Sequence, residues 1–202
     1  MFRAAAFLLL VIVSLTQALK IASTARNLLA SAAVGLSIMG PAPAALADAI
    51  PLVGAAAPEF TLPSNAGKDI SLADLKGKRT VLYFYPGDFT SGCTIEAQAF
   101  ERDFPKYQEL KTQIVGVSVD SIDKHLDFKK KYGLDFPLLS DAGGAVSNKY
   151  GSLLNLGFIG KFSNRQTYII SPEGKVEYVF TDVESNVAGH SEQVLKKLQD
   201  LQ

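Results

Sequence analysis

One cysteine, two histidines and no tryptophan occur in 202 residues, and each scarcity removes a class of chemistry. With Cys93 alone, no disulfide forms within the chain and no Cys-x-x-Cys redox pair exists. Two histidines, His125 and His190, and no clustered acids leave no set of ligands from which a metal site is expected. No Asn-x-Ser/Thr sequon and no Walker-type phosphate loop is present. Acidic residues are missing from the first 47 positions, which carry Arg3, Lys20 and Arg26. The remaining 17 Lys and Arg therefore face all 20 Asp and Glu, so the near-zero overall charge hides a mildly acidic body. Such a body, with no basic stripe, excludes nucleic acid as an expected partner.

What is present divides at about residue 47. Residues 1–18 hold Arg3, the apolar run Ala4 to Leu15 and small residues at Thr16 and Ala18, the layout of a secretory signal peptide. Their apolar core is shorter than the ~20 residues needed to cross a bilayer. Leu19 to Ala30 is basic, hydroxyl-rich and acid-free, like a transit peptide. A second apolar stretch, Leu28 to Met39, is followed by Pro41, Pro43 and Ala45-Leu46-Ala47, which suits a cleavage site. Two export signals around a transit-like spacer match delivery through the secretory route and plastid to the thylakoid lumen, with no twin arginine before the second signal. Two alternatives stand beside it: a secreted protein with one signal peptide, or a membrane anchor retained at Leu28 to Met39. Residues 48–202 form the expected domain, large enough to bury roughly 68–70% of its unfolded surface in one core. No stable membrane insertion is expected after processing.

The body alternates strand and helix signals. Glu59–Leu62 and Asp69–Leu72 flank a turn-rich tip and read as a β-hairpin. Ser71 caps a helical turn through Leu75 that Gly77 stops. Thr80 to Tyr85 is apolar on both faces, as in a central strand. A helix follows from Gly92; Pro105 is expected to break or kink it, with Asp103 capping a second piece through Leu110. Gln113 to Val119 is the next buried strand, and Ser121 to Tyr132 a helix closed by Gly133. Phe136 to Leu139 is extended, and Asp141 caps a turn running to Tyr150. Residues 151–164 read as a glycine-rich loop carrying Leu153, Leu154, Leu156, Phe158 and Ile159, for packing, a substrate opening or a subunit contact. A second hairpin pairs Arg165–Ser171 with Lys175–Phe180, and a final helix runs from Ser191. This order predicts an α/β, thioredoxin-like fold: a mixed sheet with helices on both faces and an N-terminal hairpin.

Cys93 ends the run Pro86-Gly87-Asp88-Phe89-Thr90-Ser91-Gly92-Cys93, at a strand-to-helix junction. Free N–H groups and partial positive charge at a helix start favour a thiolate. An unreactive buried thiol is the competing reading. Thr90 lies one turn before the sulfur and is placed to donate to it or to hold a peroxide oxygen. Pro86 lacks an N–H and shields one side, while the N–H groups of Gly92 and Cys93 point to the same spot. The full positive charge still needed is assigned to Arg165, at the start of a core strand. An arginine and a helix start together lower a thiol pKa from ~8.5 to ~3.5–7.5. Glu96 either steers substrate or favours the helix start, the second being preferred. His125, beside Lys124 on a lysine-rich helix, is expected to be solvated, and His190 to serve the last helix's N-terminus.

Pro86-x-x-x-Thr90-x-x-Cys93, Thr94-x-Glu96-Ala97, Leu138-Leu139-Ser140-Asp141 and Arg165-Gln166-Thr167-Tyr168 together resemble the peroxiredoxins, most closely the peroxiredoxin Q or bacterioferritin comigratory protein group, over about residues 51–201. The resemblance implies that Cys93 is the peroxidatic cysteine, supported by Pro86, Thr90 and Arg165, in a thiol peroxidase that needs no cofactor. Two positions depart from the group: Gln98 stands where many members have a resolving cysteine, and Ser91 where proline is common. A one-cysteine cycle follows. Its reductant is thioredoxin, glutathione with glutaredoxin, or a second chain through a Cys93–Cys93 disulfide, in a monomer or weak homodimer. A glutathione-peroxidase-like protein would use a tryptophan, which is missing. A non-enzymatic redox sensor or thiol-dependent chaperone is the remaining alternative.

Overall fold

The computed structural model describes residues 50–202, so the leader assigned to residues 1–47 and its cleavage sites lie outside the described residues. Chain order begins with an antiparallel hairpin, β1 (Thr61–Pro63) and β2 (Asp69–Ser71), in which Leu62 faces Ile70. Helix α1 (Leu72–Leu75) follows directly, started by a capping box in which Ser71 and Asp74 satisfy each other's backbone N–H groups.

The main sheet holds β3 (Arg79–Phe84), β4 (Thr112–Ser118), β5 (Leu138–Ser140), β8 (Gln166–Ile170) and β9 (Val176–Phe180), in the order β5-β4-β3-β8-β9. β3 pairs in parallel with β4 and antiparallel with β8, so the sheet is mixed and β3 is central. Its side chains alternate between two cores, as a strand's period of two requires. Leu82 and Phe84 join the hairpin residues Phe60, Leu62 and Ile70 on one face. Val81 and Tyr83 join Phe100, Phe128 and Val194 on the other.

That second face is covered by α2 (Ser91–Glu109), α3 (Ile122–Tyr132) and α5 (His190–Asp200). α3 starts at Ser121, whose hydroxyl accepts from the Lys124 N–H, and ends at Gly133 with φ +66°, a left-handed turn that suits glycine. The short α4 (Ala145–Lys149) lies on the first face; Asp141 accepts from the N–H groups of Val146 and Ser147 and so caps it as expected. The arrangement is the thioredoxin-like α/β fold read from the sequence.

Two expectations are corrected. α2 does not break at Pro105 but runs unbroken for 19 residues. The missing N–H costs only the bond to Glu101, and the ring faces solvent. Burial holds the helix beyond it: Tyr107 donates to the Ser191 carbonyl at 2.8 Å, and the Ser191 hydroxyl donates to Asp103 at 2.9 Å. Asp103 is thus a tie to α5 and not a cap. Burial would raise its carboxyl, but hydrogen bonds from Arg102, Lys106 and Ser191 outweigh that and lower it to about 2. The second correction concerns residues 151–164. They form a further hairpin, β6 (Leu153–Asn155) with β7 (Lys161–Ser163), around a 3-10 turn at Gly157–Ile159. Cross-strand bonding overrides the glycines, which occupy the turn at positive φ. Leu154, Leu156, Phe158 and Ile159 are exposed on it, whereas Leu153 is half-buried.

Candidate active site

The first turn of α2 carries Cys93, whose residue is 2% exposed. Thr90 precedes the helix in extended conformation and makes no side-chain cap, so no cap side chain claims the N–H groups of Ser91, Gly92 and Cys93. β8 begins one residue after Arg165, which brings that side chain across from the opposite side of the strand order. Both terminal guanidinium nitrogens lie 3.4 Å from the Cys93 sulfur. At an effective dielectric of ~20, a thiolate that close to the guanidinium gains roughly 5 kcal/mol of Coulomb energy.

Arg165 is held from two further sides. Its Nη1 donates to Glu96 Oε2 at 2.6 Å, and its Nε to Glu184 Oε1 at 2.9 Å. Burial alone would pull the guanidinium down, but Glu96 and Cys93 more than offset this and keep it charged. Gly92 leaves room for the arrangement: a Cβ there would stand 3.0 Å from Arg165 Nη2. The preceding backbone is fixed by Asn164, whose N–H donates to the Ser152 carbonyl at 2.6 Å, and by the Ser147–Ser163 hydroxyl pair at 2.7 Å.

Glu96, preferred above as a charge favouring the helix start, is fully buried and lies beyond the first turn. Burial favours its neutral form more strongly than Arg165 favours the ionised one, so its carboxyl is pushed up to about 7. Below that value a neutral carboxyl leaves the Arg165 charge to the sulfur. Above it the carboxylate competes with the sulfur for that charge. Oxidation of Cys93 by hydrogen peroxide is therefore expected to lose rate as Glu96 ionises near pH 7, relative to a Glu96→Gln variant that has no carboxyl to ionise. The ratio of wild-type to Glu96→Gln oxidation rates, measured from about pH 5 to about pH 9, checks this; a ratio constant over that range would refute it.

Of the two roles expected for Thr90, donation to the sulfur is not the bond it makes. Its hydroxyl donates to the Gly87 carbonyl at 3.0 Å, so the hydrogen is engaged and lone pairs are what it offers outward. Pro86 is half-buried and borders, with Arg165, Glu184, Leu154, Leu156 and Phe162, a cavity of about 480 Å³ beside the arginine. Gln98 is exposed on α2. The structure thus brings together Cys93, Arg165 and Glu96 in direct contact, with Gly92 against the arginine.

Sequence reasoning missed Glu184, which no spacing ties to the site, and misjudged His125. That residue is completely buried, its Nδ1 2.7 Å from Asp88. The signal was available: His125, Phe128 and Tyr132 share one face of α3 at three- and seven-residue spacing, whereas Leu126 faces outward. His190 opens α5 as expected, but it is buried against Thr167 at 2.8 Å, and burial pushes it down to about 4. Among the described residues no group of three potential metal ligands occurs, and no helix is long and apolar enough to cross a membrane.

A thioredoxin-like sheet presenting one cysteine at a helix start, under an arginine that enters the neighbouring strand β8, defines a thiol-dependent redox protein. The AhpC/TSA family profile matches residues 53–179, and the chain belongs to that family, the peroxiredoxins. Within it the similarity is to peroxiredoxin Q and its bacterial counterparts. A rice (Oryza sativa subsp. japonica) protein named "Peroxiredoxin Q, chloroplastic" is 40% identical over 148 residues, covering 73% of this chain and 67% of its own. Peroxidoxin BcpB from Mycobacterium tuberculosis is similar in structure at a TM-score of 0.68 and 32% identity, with 74% and 97% of the two chains covered. The Xanthomonas campestris bacterioferritin comigratory protein, whose structures are described for alkyl peroxide reduction, gives 0.67 and 33%, covering 76% and 98%. The protein is accordingly a thiol peroxidase, with a peroxide as substrate and a thiol as reductant.

Proposed function

We propose that Cys93 is the peroxidatic nucleophile and that Arg165, Thr90, Pro86, Gly92 and Glu96 support it. The Arg165 guanidinium at 3.4 Å from the sulfur is the observation that carries this reading. The thiolate attacks one oxygen of the hydroperoxide; an S–O bond forms and the O–O bond breaks. The leaving hydroxide or alkoxide takes a proton from solvent, and Cys93 becomes a sulfenic acid. Arg165 and the free N–H groups of the helix start stabilise charge on the departing oxygen, while the Thr90 lone pairs accept from the peroxide O–H. Pro86 walls the pocket without contributing a competing donor, and Glu96 aims Arg165.

Resolution comes from outside the chain, since Gln98 replaces a second cysteine. An external thiol attacks the sulfenic sulfur, releasing water and leaving a mixed disulfide. A second thiol then frees the Cys93 thiolate and departs as a disulfide. The near-complete burial of the sulfur favours this route over a Cys93–Cys93 bridge, which requires Cβ atoms about 3.8 Å apart. The leader pattern of residues 1–47, with relatives named chloroplastic, supports a plastid protein and, more finely, one of the thylakoid lumen.

The test is a sulfenic-acid trap combined with reductant choice. One equivalent of hydrogen peroxide followed by dimedone should label Cys93, and turnover should require thioredoxin or glutaredoxin with glutathione, each supplied separately. No adduct on Cys93, with turnover intact, would overturn the assignment.

A further inference from the structure

The reaction as described leaves unused a buried polar cluster immediately upstream of the helix that carries Cys93. Asp88 lies two residues past Pro86 and is 2% exposed. Its Oδ1 accepts from the Tyr85 hydroxyl at 2.7 Å, and its Oδ2 pairs with His125 Nδ1 at 2.7 Å. The other ring nitrogen of His125 faces the Leu139 carbonyl at 3.2 Å. The Asp88 N–H donates to Asp120 Oδ2 at 2.7 Å, and Asp120 is itself held by the Ser118 hydroxyl and by Lys124. One side chain and one amide therefore tie the loop after β3 to the end of β4, to α3 and to β5.

The chemistry of the cluster is constrained. Both nitrogens of His125 face oxygen acceptors. A buried site tolerates polar groups only when they are hydrogen-bonded, so the ties of Asp88 and His125 to each other, to Tyr85 and to Leu139 stand or fall as a set.

The next residue shows what the ties maintain. Phe89 has φ +65°, a left-handed conformation uncommon outside glycine, asparagine and aspartate. Its ring packs on Phe128 and Tyr132 of α3, at centroid distances of 5.2 and 6.3 Å. From there the chain enters Thr90, whose hydroxyl closes on Gly87, and then the first turn of α2. The direction of the Thr90 lone pairs and of the free N–H groups is set by how residues 86–90 are bent. That bend is held from α3, through Phe89 and the Asp88–His125 pair.

We propose that Asp88 and His125 are positioning residues, a buried clamp that fixes the loop before Cys93 in the shape the peroxide step requires. The proposal rests on Cys93 as the peroxide-reacting thiol. It separates two properties of that thiol. Alkylation by a small neutral reagent needs only a reachable thiolate, which Arg165 supplies. Peroxide cleavage also needs Thr90 and the helix-start amides aligned on two oxygen atoms.

His125→Phe removes both ring hydrogen bonds while keeping an aromatic ring in place. It should lower the second-order rate of Cys93 oxidation by hydrogen peroxide about tenfold or more, leaving iodoacetamide alkylation within about twofold of wild type. Asp88→Asn is the rescue variant: its amide can donate to His125 Nδ1 while its oxygen still accepts from Tyr85, so oxidation should stay within about threefold. The double variant Asp88→Leu/His125→Phe replaces the pair with apolar groups, which proteins commonly tolerate, and it should fold yet remain slow.

Wild-type oxidation rates in the folded double variant would overturn the clamp. So would parallel losses in oxidation and alkylation for His125→Phe, which would mean general loosening. A wild-type chain with no dimedone adduct on Cys93 would remove the site assignment and the clamp together, whereas a labelled wild type with an indifferent double variant removes the clamp alone.

Discussion

Replacing Cys93 with serine is expected to reduce peroxide turnover to the background set by the reductant alone. The reason lies in ionisation and in bond chemistry. A hydroxyl is intrinsically far less acidic than a thiol, so a serine beside the same Arg165 offers a much weaker nucleophile. The O–O bond is cleaved by a soft sulfur nucleophile that can hold the transferred oxygen as a sulfenic acid, and serine oxygen has no corresponding product. Fold is not at stake, because serine is smaller than cysteine and the Arg165 fork can still donate to its hydroxyl. A thermal midpoint within about 5 °C of wild type is expected, in line with a change near 1 kcal/mol in a domain of this size. Peroxide consumption with each reductant is the measurement. Retained turnover would move the chemistry away from Cys93, and no second cysteine exists to receive it.

Most of the architecture was legible before any coordinates, for identifiable reasons. Thr80 to Tyr85 shows a central strand because both faces of β3 meet a core, leaving no polar alternation. Gly133 and Ser121 mark the ends of α3 by local backbone chemistry that needs no tertiary context. Pro105 misled because a proline's cost is local and fixed, whereas Tyr107 and Asp103 anchor the same helix through partners 84 and 88 residues away. The 151–164 hairpin was hidden for a similar reason: glycines at its turn dominate the composition, while the pairing of Leu154 with Phe162 is not encoded locally.

The candidate site divides along the same line. Cys93, Thr90 and Gly92 sit in one contiguous run, so their proximity is a property of the chain. Arg165 was found because it opens a core strand, a positional cue. Glu184 and the Asp88–His125 pair carry no such cue. Long-range packing alone makes Asp88 a buried partner of a helix 37 residues later. Glu96 shows a further limit: its nearness to the helix start invites a dipole argument, yet it lies beyond the first turn and points inward at Arg165, and burial then decides its role.

Arg165→Ala is expected to slow the reaction of Cys93 with hydrogen peroxide by about 10²–10³, the usual consequence of deleting one preorganised donor at a developing oxyanion. Two losses combine. The sulfur loses a guanidinium at 3.4 Å on both forks, and the departing oxygen loses its nearest charged donor. The variant also strands Glu96, whose Oε2 takes its bond from Arg165 Nη1. A carboxyl that already titrates near 7 will then take up a proton, so the stranded group relieves itself without unfolding the helix. Arg165→Ala/Glu96→Gln isolates the point: if the arginine acts through its charge on sulfur and oxygen, the double variant will be as slow as the single. Arg165→Lys should recover part of the rate, because a lysine supplies charge but not a planar fork able to hold sulfur and Glu96 together. Rates come from rapid-mixing peroxide consumption with the full chain. An Arg165→Ala rate within about twofold of wild type would mean that helix-start amides alone activate Cys93, and that the arginine only ties β8 to Glu184.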